Sequence, residues 1–372
     1  MQFIIDLRII PFIKDKFTTN SFSIRTKKRG IQMNIKDIAR ICGVGVSTVS
    51  RVLNNHPDVK KETRDKILET IKVYNYVPNN SARMLKSNNM KHIGVLVKGV
   101  FNPFFSEMLK IMEMHINRIG YTMILHHYDP KDLNGSEGAV LVSFIKEKRL
   151  QGVICLGGNF SRIEEELFEE IEVPVVLTSV DSHIEINQAL FSRVCIDNEK
   201  AAYEATKYLI EQGHRQIAIM LGDEFDAGVS NRRVMGYMRA LEEYNIPINK
   251  DYIVLGGYDF EPAYECTKEL LNTHPELTAL FAISDIMAIG AGRGVVDLGL
   301  KIGEDLSILG FDGLDIGKYY NPPLTTIKQP RRQMADESIN LLVKLIEKKG
   351  KNKNIVLETA LVERMSVGKL EG

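Results

Sequence analysis

The sequence predicts an all-α helix-turn-helix head followed by an α/β body of two lobes, each built on a doubly wound parallel sheet. Short helices separated by a glycine occur near the N-terminus, and from residue 91 short apolar runs alternate with amphipathic helices. Nine or more such runs exceed one ordinary sheet. With 372 residues, 44% of them hydrophobic, the chain is long enough for two or three domains and a large core.

Charge is distributed unevenly, although the chain as a whole is neutral. Residues 1–89 carry 17 Lys and Arg against 7 Asp and Glu, whereas the remainder carries 31 against 41. A basic end on an acidic body is typical of a nucleic-acid-binding module joined to a second unit. A solvated basic face with no partner would give the same charge, so composition leaves both interpretations open.

Composition disfavours a disulfide framework, a zinc cluster and a membrane span. The cysteines form no CxxC pair and are expected to be buried thiols in a reducing cytoplasm. They are Cys42, Cys155, Cys195 and Cys266. No apolar run approaches the roughly 18 residues that cross a bilayer. Residues 1–32 lack a signal-peptide core, and we expect them to be a disordered arm or an over-extended reading frame before Met33.

Residues 33–78 are predicted to form three short helices. Asn34 is a candidate N-cap for the first helix, which ends at Gly43. A second helix is expected from about Val46 to Val52, and a third from about Lys61 to Tyr74. Two short helices joined by a glycine turn match a helix-turn-helix, although a generic three-helix bundle has the same periodicity.

The second helix of a helix-turn-helix enters the major groove of DNA, and its first residues meet the base edges. Val46 can pack on a thymine methyl group, and Ser47 can donate or accept a hydrogen bond. The remaining candidates for base or phosphate contacts are Thr48, Ser50, Arg51 and Asn54. These side chains make the head a candidate DNA-binding domain.

The head resembles the DNA-binding domain of the lactose-repressor family. The matching pieces occur in order along the chain: IKDIA, GVxxxTVSRVLN, ETRDKIL and NYVPNxxARxL. Two positions depart from the family pattern. Gly45 stands where a Ser usually precedes the recognition helix, and Lys60 stands where a Ser or Thr usually caps the third helix. Because Gly caps a helix less well than Ser, the first departure is expected to loosen the recognition helix.

Residues 79–90 are expected to link the head to the body. They follow Pro78, and their polar part is too short to hold a helix alone. The resemblance implies a hinge helix that orders on operator DNA, with Leu85 wedged into a base step of the minor groove and Ala82 one turn earlier. A plain linker with one exposed leucine is the alternative.

The body, residues 91–372, is predicted to alternate strands with helices. Helices are expected at 104–119, 198–212, 230–244, 260–272 and 284–298. Strands are expected at His92–Val97, Thr122–His126, Gly152–Leu156, Val173–Leu177, Val194–Ile196, Ile217–Leu221, Ile253–Leu255, Ala279–Ile283 and Leu306–Gly310. Ligands of such sheets bind beyond the carboxyl ends of the strands, so a site is expected in the cleft between the lobes. Asp197, Phe260 and Asp285 follow predicted strands and are candidates for it.

The body also resembles the lactose-repressor family and its relatives, the periplasmic sugar-binding proteins. The matching pieces are NPFFSEM, CIDNEKAA, YLIEQGHRQIAI, RVMGYMRAL, FAISDIMAIGA and LSILGFDG. The resemblance implies an effector pocket that contains Phe105, Arg233, Phe260 and Asp285, with Asp197 as a further member. An arginine and a carboxylate can clasp a vicinal diol or a carboxylate group, and the phenylalanines can stack on a sugar or a base. The alternative for Arg233 and Asp285 is an interlobe salt bridge with no ligand.

Function follows from the head and the pocket together. No GxSxG, HExxH or Walker loop occurs, so an enzyme is disfavoured and neither a cofactor nor a metal is expected. The resemblance implies a transcription regulator, expected to be a repressor: a homodimer on a palindromic operator, controlled by a small molecule, most commonly a sugar. Two alternatives stay open, a co-repressor-dependent global regulator of carbon metabolism that docks a protein partner, and a sugar-transport receptor without a DNA role.

Overall fold

The computed structural model describes residues 34–53, 56–74, 91–99, 102–128, 137–158, 171–180, 191–222 and 228–370. The chain divides into two compact units, residues 1–90 and 91–372. The described part of the first unit is all-α, and the second unit is α/β with two separate sheets, as the sequence predicts. Within the described ranges, no helix is both long enough and apolar enough to cross a membrane.

Three helices form the described part of the head: α1 (Ile35–Cys42), α2 (Val46–Leu53) and α3 (Lys61–Val73). The Asn34 side chain accepts hydrogen bonds from the first turn of α1, and Asp37 returns one to the Asn34 backbone, which completes a capping box. Gly43 ends α1 at φ 67°, in the left-handed region where glycine has no steric penalty. Lys60 precedes α3 without a side-chain cap bond, in line with its departure from the family pattern.

The head has a small core of its own. Its buried side chains come from all three helices: Ile38, Ala39, Cys42, Val49, Val52 and Ile67. The polar faces of the helices are thereby left at the surface, which is the arrangement that an amphipathic three-helix unit requires.

The body contains twelve strands within the described residues, and they form two six-stranded sheets. The strands are β1 (His92–Lys98), β2 (Thr122–Tyr128), β3 (Gly152–Leu156), β4 (Val175–Thr178), β5 (Phe191–Ile196), β6 (Ile217–Leu221), β7 (Ile253–Leu255), β8 (Ala279–Ala282), β9 (Ser307–Asp312), β10 (Thr325–Lys328), β11 (Asn354–Leu357) and β12 (Ala360–Val362). Sheet A has the order β11-β5-β4-β3-β1-β2, and sheet B has the order β12-β10-β9-β8-β6-β7. All ladders are parallel except β10 with β12. The nine predicted strands correspond to β1–β9 within a few residues.

Helices cover the faces of both sheets. They are α4 (Pro103–Arg118), α5 (Glu137–Lys148), α6 (Asn198–Glu211), α7 (Val229–Glu243), α8 (Phe260–Thr273), α9 (Asp285–Asp297), α10 (Ile316–Tyr319) and α11 (Arg331–Ile346), with a 3₁₀ turn at Lys250–Tyr252. Strands such as β3 and β9 are buried along their whole length, because parallel sheets covered on both faces need continuous apolar runs.

Between its described elements, the chain passes from one lobe to the other three times. α6 follows β5 of sheet A but packs on α7 and sheet B, whereas α11 follows β10 of sheet B but packs on α4 and sheet A. The third passage joins β11 of sheet A to β12 of sheet B. Any rearrangement of the lobes therefore has to be absorbed near residues 197, 329–330 and 358–359.

Candidate DNA-binding and effector sites

The recognition helix α2 carries its candidate DNA contacts on the side away from the head core. Val46 and Ser47 at its first turn are exposed, Thr48 and Ser50 are half-buried, and Val49, Val52 and Leu53 pack in the core. The exposed first turn is the part of such a helix that meets base edges. The predicted contacts Asn54, Ala82 and Leu85 lie outside the described residues.

Arg51 in the last turn of α2 is held by the segment that follows the helix. Its Nη1 lies 3.3 Å from Oδ2 of Asp58, and the other oxygen of Asp58 lies 2.7 Å from Nδ1 of His56. The His56 N–H donates to the Arg51 carbonyl at 2.9 Å, and the Arg64 guanidinium donates to the His56 carbonyl. Asp58 therefore holds the partly exposed Arg51 guanidinium in an ion pair.

Arg233 of α7 lies at the carboxyl end of sheet B and is only 4% exposed. Its Nε donates to Oδ1 of Asn198 at 3.0 Å, and its Nη1 donates to the carbonyl of Ile283, directly after β8, at 2.6 Å. The guanidinium also stacks on the ring of Phe311 in β9. Three elements thus fix the plane of this side chain.

A buried carboxylate belongs to Asp312, the last residue of β9, which follows Phe311 and is 5% exposed. Its Oδ1 accepts from Nε2 of Gln329 at 2.8 Å, and its Oδ2 accepts from Oγ of Ser284 at 3.3 Å. Burial raises the pKa of the Asp312 carboxyl, and the positive charge of Arg233 opposes that rise. Asp312 was not among the predicted site residues, although the available signal was an aspartate two residues after the predicted strand Leu306–Gly310, in LSILGFDG.

Asp285, the candidate from the sequence, occupies a different place in this cluster. It is fully buried, and its two oxygens accept from the Leu314 N–H and from Oγ1 of Thr326, both at 2.6 Å. Burial, reinforced by the charge of Asp312, raises the pKa of its carboxyl. The alternative of an interlobe salt bridge with Arg233 is wrong for this structure, because both residues belong to the lobe of sheet B and both bond elsewhere.

The remaining candidates also lie at carboxyl ends of strands. Phe105, in the first turn of α4, is half-buried against Gly157, where a Cβ would lie 2.8 Å from the Phe105 Cζ. Asp197 is exposed and caps α6 by accepting from the Lys200 N–H at 2.9 Å. Phe260 begins α8 and is exposed. Sheet A thus contributes Phe105 and Asp197, and sheet B contributes Arg233, Phe260 and Asp285.

Comparison with known proteins gives matches along both units. Residues 34–79 match the model of bacterial regulatory proteins, lacI family, and residues 206–367 match a periplasmic binding protein-like domain. The HTH-type transcriptional regulator MalR of Clostridium butyricum is 55% identical over 334 residues, which cover 90% of this chain and 99% of MalR. The chain belongs to the lacI family of bacterial regulatory proteins.

Further relatives and solved structures cover the same length of this lacI-family chain. The HTH-type transcriptional repressor PurR of Histophilus somni is 35% identical over 338 residues, 90% of this chain and 98% of PurR. A lac repressor dimer bound to operator and the anti-inducer ONPF has a TM-score of 0.70 at 26% identity, with 90% and 98% covered. A complex of the regulator CelR with cellobiose has a TM-score of 0.67 at 27% identity, with 90% and 99% covered.

Membership of the lacI family fixes the general activity. The chain is a DNA-binding transcription regulator with a helix-turn-helix head and a periplasmic-binding-protein-like body, and it is not an enzyme.

Proposed function

We propose that this lacI-family protein is a cytoplasmic homodimeric repressor whose affinity for a palindromic operator is set by a sugar bound between the two lobes. The observation that carries the proposal is that the Arg233 guanidinium and the Asp312 carboxylate are both buried at the carboxyl end of sheet B, where Arg233 stacks on Phe311, the residue before Asp312. A buried guanidinium held in one plane and a neighbouring carboxylate offer donors and acceptors side by side. Vicinal hydroxyl groups of a sugar need that combination, since each hydroxyl both donates and accepts.

Other residues complete the proposed effector site. Phe105 from one lobe and Phe260 from the other supply apolar faces for a sugar ring, and Asp197 adds an exposed carboxylate at the first passage between lobes. Asp285 acts as a positioning residue in this proposal, because its two oxygens hold Leu314 and Thr326, which flank the end of β9. The complex of the relative CelR with cellobiose supports a sugar as the class of effector.

The proposed dimer uses the edges of the two sheets. β2 is one edge strand of sheet A and β7 is one edge strand of sheet B, and each carries an exposed leucine, Leu125 and Leu255 respectively. Met114 of α4, the helix that packs beside β2, is exposed as well. Exposed apolar side chains on unpaired strand edges favour burial against another chain. The lac repressor dimer on operator, a structural neighbour, supports the same assembly.

In the proposed dimer, two heads read two half-sites of the operator. Val46, Ser47, Thr48, Ser50, Arg51 and Asn54 would contact bases or phosphates, and Leu85, with Ala82, would enter the minor groove. Effector binding would alter the angle between the lobes, and through it the spacing of the heads. A coupling free energy of about 1–3 kcal/mol would change operator affinity roughly 5- to 150-fold.

The test is selection of DNA fragments from the organism's own genome by the protein at fixed moderate salt, repeated with a panel of sugars and purines. We expect recovery of a palindromic sequence whose affinity changes at least fivefold with one sugar. Weak binding that is uniform across fragments and indifferent to every compound would contradict the proposal. A response only to a purine would contradict the sugar assignment.

Matched variants locate the effector site in the same assay. Asp312→Asn removes one charge and keeps the shape of the side chain, so operator binding without sugar should persist while the response to sugar is lost. Arg239→Met is the control, because Arg239 of α7 pairs with Glu199 at 2.8 Å on the surface of the same lobe. An unchanged response in Asp312→Asn would exclude the carboxyl end of β9 as the site.

A further inference from the structure

Arg331 joins the two lobes through one buried side chain. It is the first residue of α11, directly after the second passage between lobes, and is only 6% exposed. Its Nη1 donates to the carbonyl of Asp312 in sheet B at 2.7 Å, and its Nη2 lies 2.8 Å from Oε2 of Glu107 on α4, in the lobe of sheet A. One guanidinium therefore bonds to both lobes.

The sheet B end of this link is the residue that we place in the effector site. The Asp312 carbonyl also accepts from the Gln329 N–H at 3.2 Å, and the Asp312 carboxylate accepts from the Gln329 side chain. Asp312 has a φ of 117°, which a non-glycine residue adopts only when its surroundings impose it. Gln329 and Arg331 supply that constraint. Both donate to the Asp312 carbonyl, and the Gln329 side chain also donates to the Asp312 carboxylate.

The sheet A end of the link lies beside the other half of the effector site. Glu107 is in the first turns of α4, two residues after Phe105, and its side chain is 45% exposed. Arg331 thus connects Asp312 to α4, the helix that carries Phe105. Sequence separation hides this connection, because Glu107 and Arg331 are more than 220 residues apart.

The link is not built for maximal stability. Nε of Arg331 and Oε1 of Gln329 are both buried, and neither has a hydrogen-bond partner in the described part of the chain. A buried donor and a buried acceptor left unsatisfied, two residues apart, disfavour the arrangement in which they are found. A hydrogen-bond partner for either atom would therefore stabilise the segment.

We propose that Arg331 is a positioning residue that transmits the state of Asp312 in one lobe to Glu107 and α4 in the other. This inference rests on the proposed function, in which Asp312 contacts the effector. The Arg331 guanidinium keeps the lobes at the angle set by the Asp312 carbonyl and Glu107. A ligand that draws Asp312 away from Gln329 shifts that angle through the same side chain.

Hydrogen exchange of the full chain, without DNA or any small molecule, tests the link independently of the effector. Glu107→Gln removes the charge on the sheet A side while preserving the shape of the residue. We expect exchange to rise at least threefold in peptides covering residues 312–317 and 325–331, in the opposite lobe, as well as in α4. Arg331→Met should give the same pattern, and the double variant should add nothing further. Arg239→Met should leave these peptides unchanged.

A rise confined to α4 in Glu107→Gln, or additive effects in the double variant, would overturn the proposal. Circular dichroism of each variant shows whether it is folded. If Arg331→Met is unfolded, the exchange pattern of Glu107→Gln alone still distinguishes a link between the lobes from a local effect on α4. Loss of the ligand response in the genomic selection bears on the proposed function, whereas the exchange pattern bears on the link alone.

Discussion

The guanidinium of Arg233 stacks on the ring of Phe311, with Cζ of Arg233 3.6 Å from the ring centroid. Phe311 is fully buried in β9 and directly precedes Asp312. The same strand therefore positions both the arginine, through a cation–π contact, and the carboxylate that accompanies it. The Asn198 amide and the Ile283 carbonyl fix the guanidinium further, so its orientation does not depend on a bound ligand.

Replacement of Arg233 should destabilise the body as well as abolish the response to effector. Arg233→Met leaves the Asn198 side chain and the buried Asp312 carboxylate without their charged neighbour, and we expect a loss of about 3 kcal/mol in the free energy of unfolding. Arg239→Met, which breaks an exposed pair, should cost less than about 1 kcal/mol. Urea unfolding of the body measures the free energy of unfolding of each variant. Equal losses in Arg233→Met and Arg239→Met would contradict the structural role of Arg233.

Stability of the body should depend on the protonation of Asp285 and Asp312. Burial raises the pKa of both carboxyls, so the folded protein keeps protons that the unfolded chain releases. Because the unfolded chain binds fewer protons above the ordinary carboxyl pKa, this pair makes the free energy of unfolding fall as the pH rises from about 5 to 8. Asp285→Asn should flatten that fall.

The control for the pH effect is Asp259→Asn. Asp259 is exposed and caps α8, and Asn caps a helix equally well. Unfolding curves between pH 5 and pH 8 should therefore keep the wild-type slope in Asp259→Asn. Parallel slopes in wild type and Asp285→Asn would show that the buried pair does not titrate in this range.

The third helix of the head lacks a cap that a single substitution can supply. The Lys60 side chain makes no bond to the first turn of α3, whereas a serine hydroxyl at that position accepts from a backbone N–H. Lys60→Ser should stabilise the start of α3 by about 1 kcal/mol, which slows exchange of its first-turn amides about fivefold. Lys60→Ala removes the same charge without a hydroxyl and should not slow exchange. Equal protection in both would assign the effect to charge.

Helices α6 and α7 pack closely at Gly236. A Cβ there would lie 2.1 Å from the Glu199 carbonyl oxygen and 2.8 Å from the Tyr203 nitrogen, which are backbone atoms that cannot turn aside. Gly236→Ala should therefore force the helices apart and lower the free energy of unfolding by about 1–3 kcal/mol. Gly350→Ala, at an exposed glycine that faces only the Lys344 region, should change it far less. Equal unfolding midpoints for the two variants would contradict the packing argument.

Asp58 should restrain the contribution of Arg51 to DNA binding. Asp58→Asn removes the ion pair that holds the Arg51 guanidinium, so the arginine becomes free to meet a phosphate. We expect tighter binding to a random-sequence duplex and a salt dependence steeper by about one unit in the logarithmic slope. Asp65→Asn on α3 removes the same charge elsewhere, and fluorescence anisotropy should show no steeper slope for it. Equal salt dependence of DNA binding in wild type and Asp58→Asn would contradict a restraint of Arg51 by Asp58.

Local sequence patterns predicted most of the fold. Asn34 and Gly43 mark the ends of α1 because capping and the left-handed turn are decided by neighbouring residues. The strands β1–β9 were predicted from their apolar runs, since strands buried on both faces of a parallel sheet have locally continuous apolar sequences. β10, β11 and β12 were not predicted. Length alone does not explain this, because β7 is as short as β12, but β11 pairs with β5, far earlier in the chain, and no local pattern shows that pairing.

The site was less accessible to sequence reasoning than the fold. Arg233 followed from the resemblance and lies at the carboxyl end of sheet B, and its role in effector binding stays a prediction. Asp285 follows β8 and Asp312 ends β9, and no local pattern distinguishes their roles. The structure shows that Asp285 bonds to Leu314 and Thr326. Asp312 bonds to Gln329 and follows Phe311, on which Arg233 stacks. The pair of Arg331 with Glu107 depends on the packing of two lobes and leaves no local pattern in the sequence.

The most direct measurement is equilibrium binding of the selected operator by wild type and by Asp312→Asn, with and without the compound that elicits the response. We expect the two proteins to bind the operator equally well when the compound is absent. Only the wild type should change its operator affinity when the compound is added. An equal response in both proteins, or none in either at any compound tested, would contradict control of this regulator by a small molecule bound at Asp312.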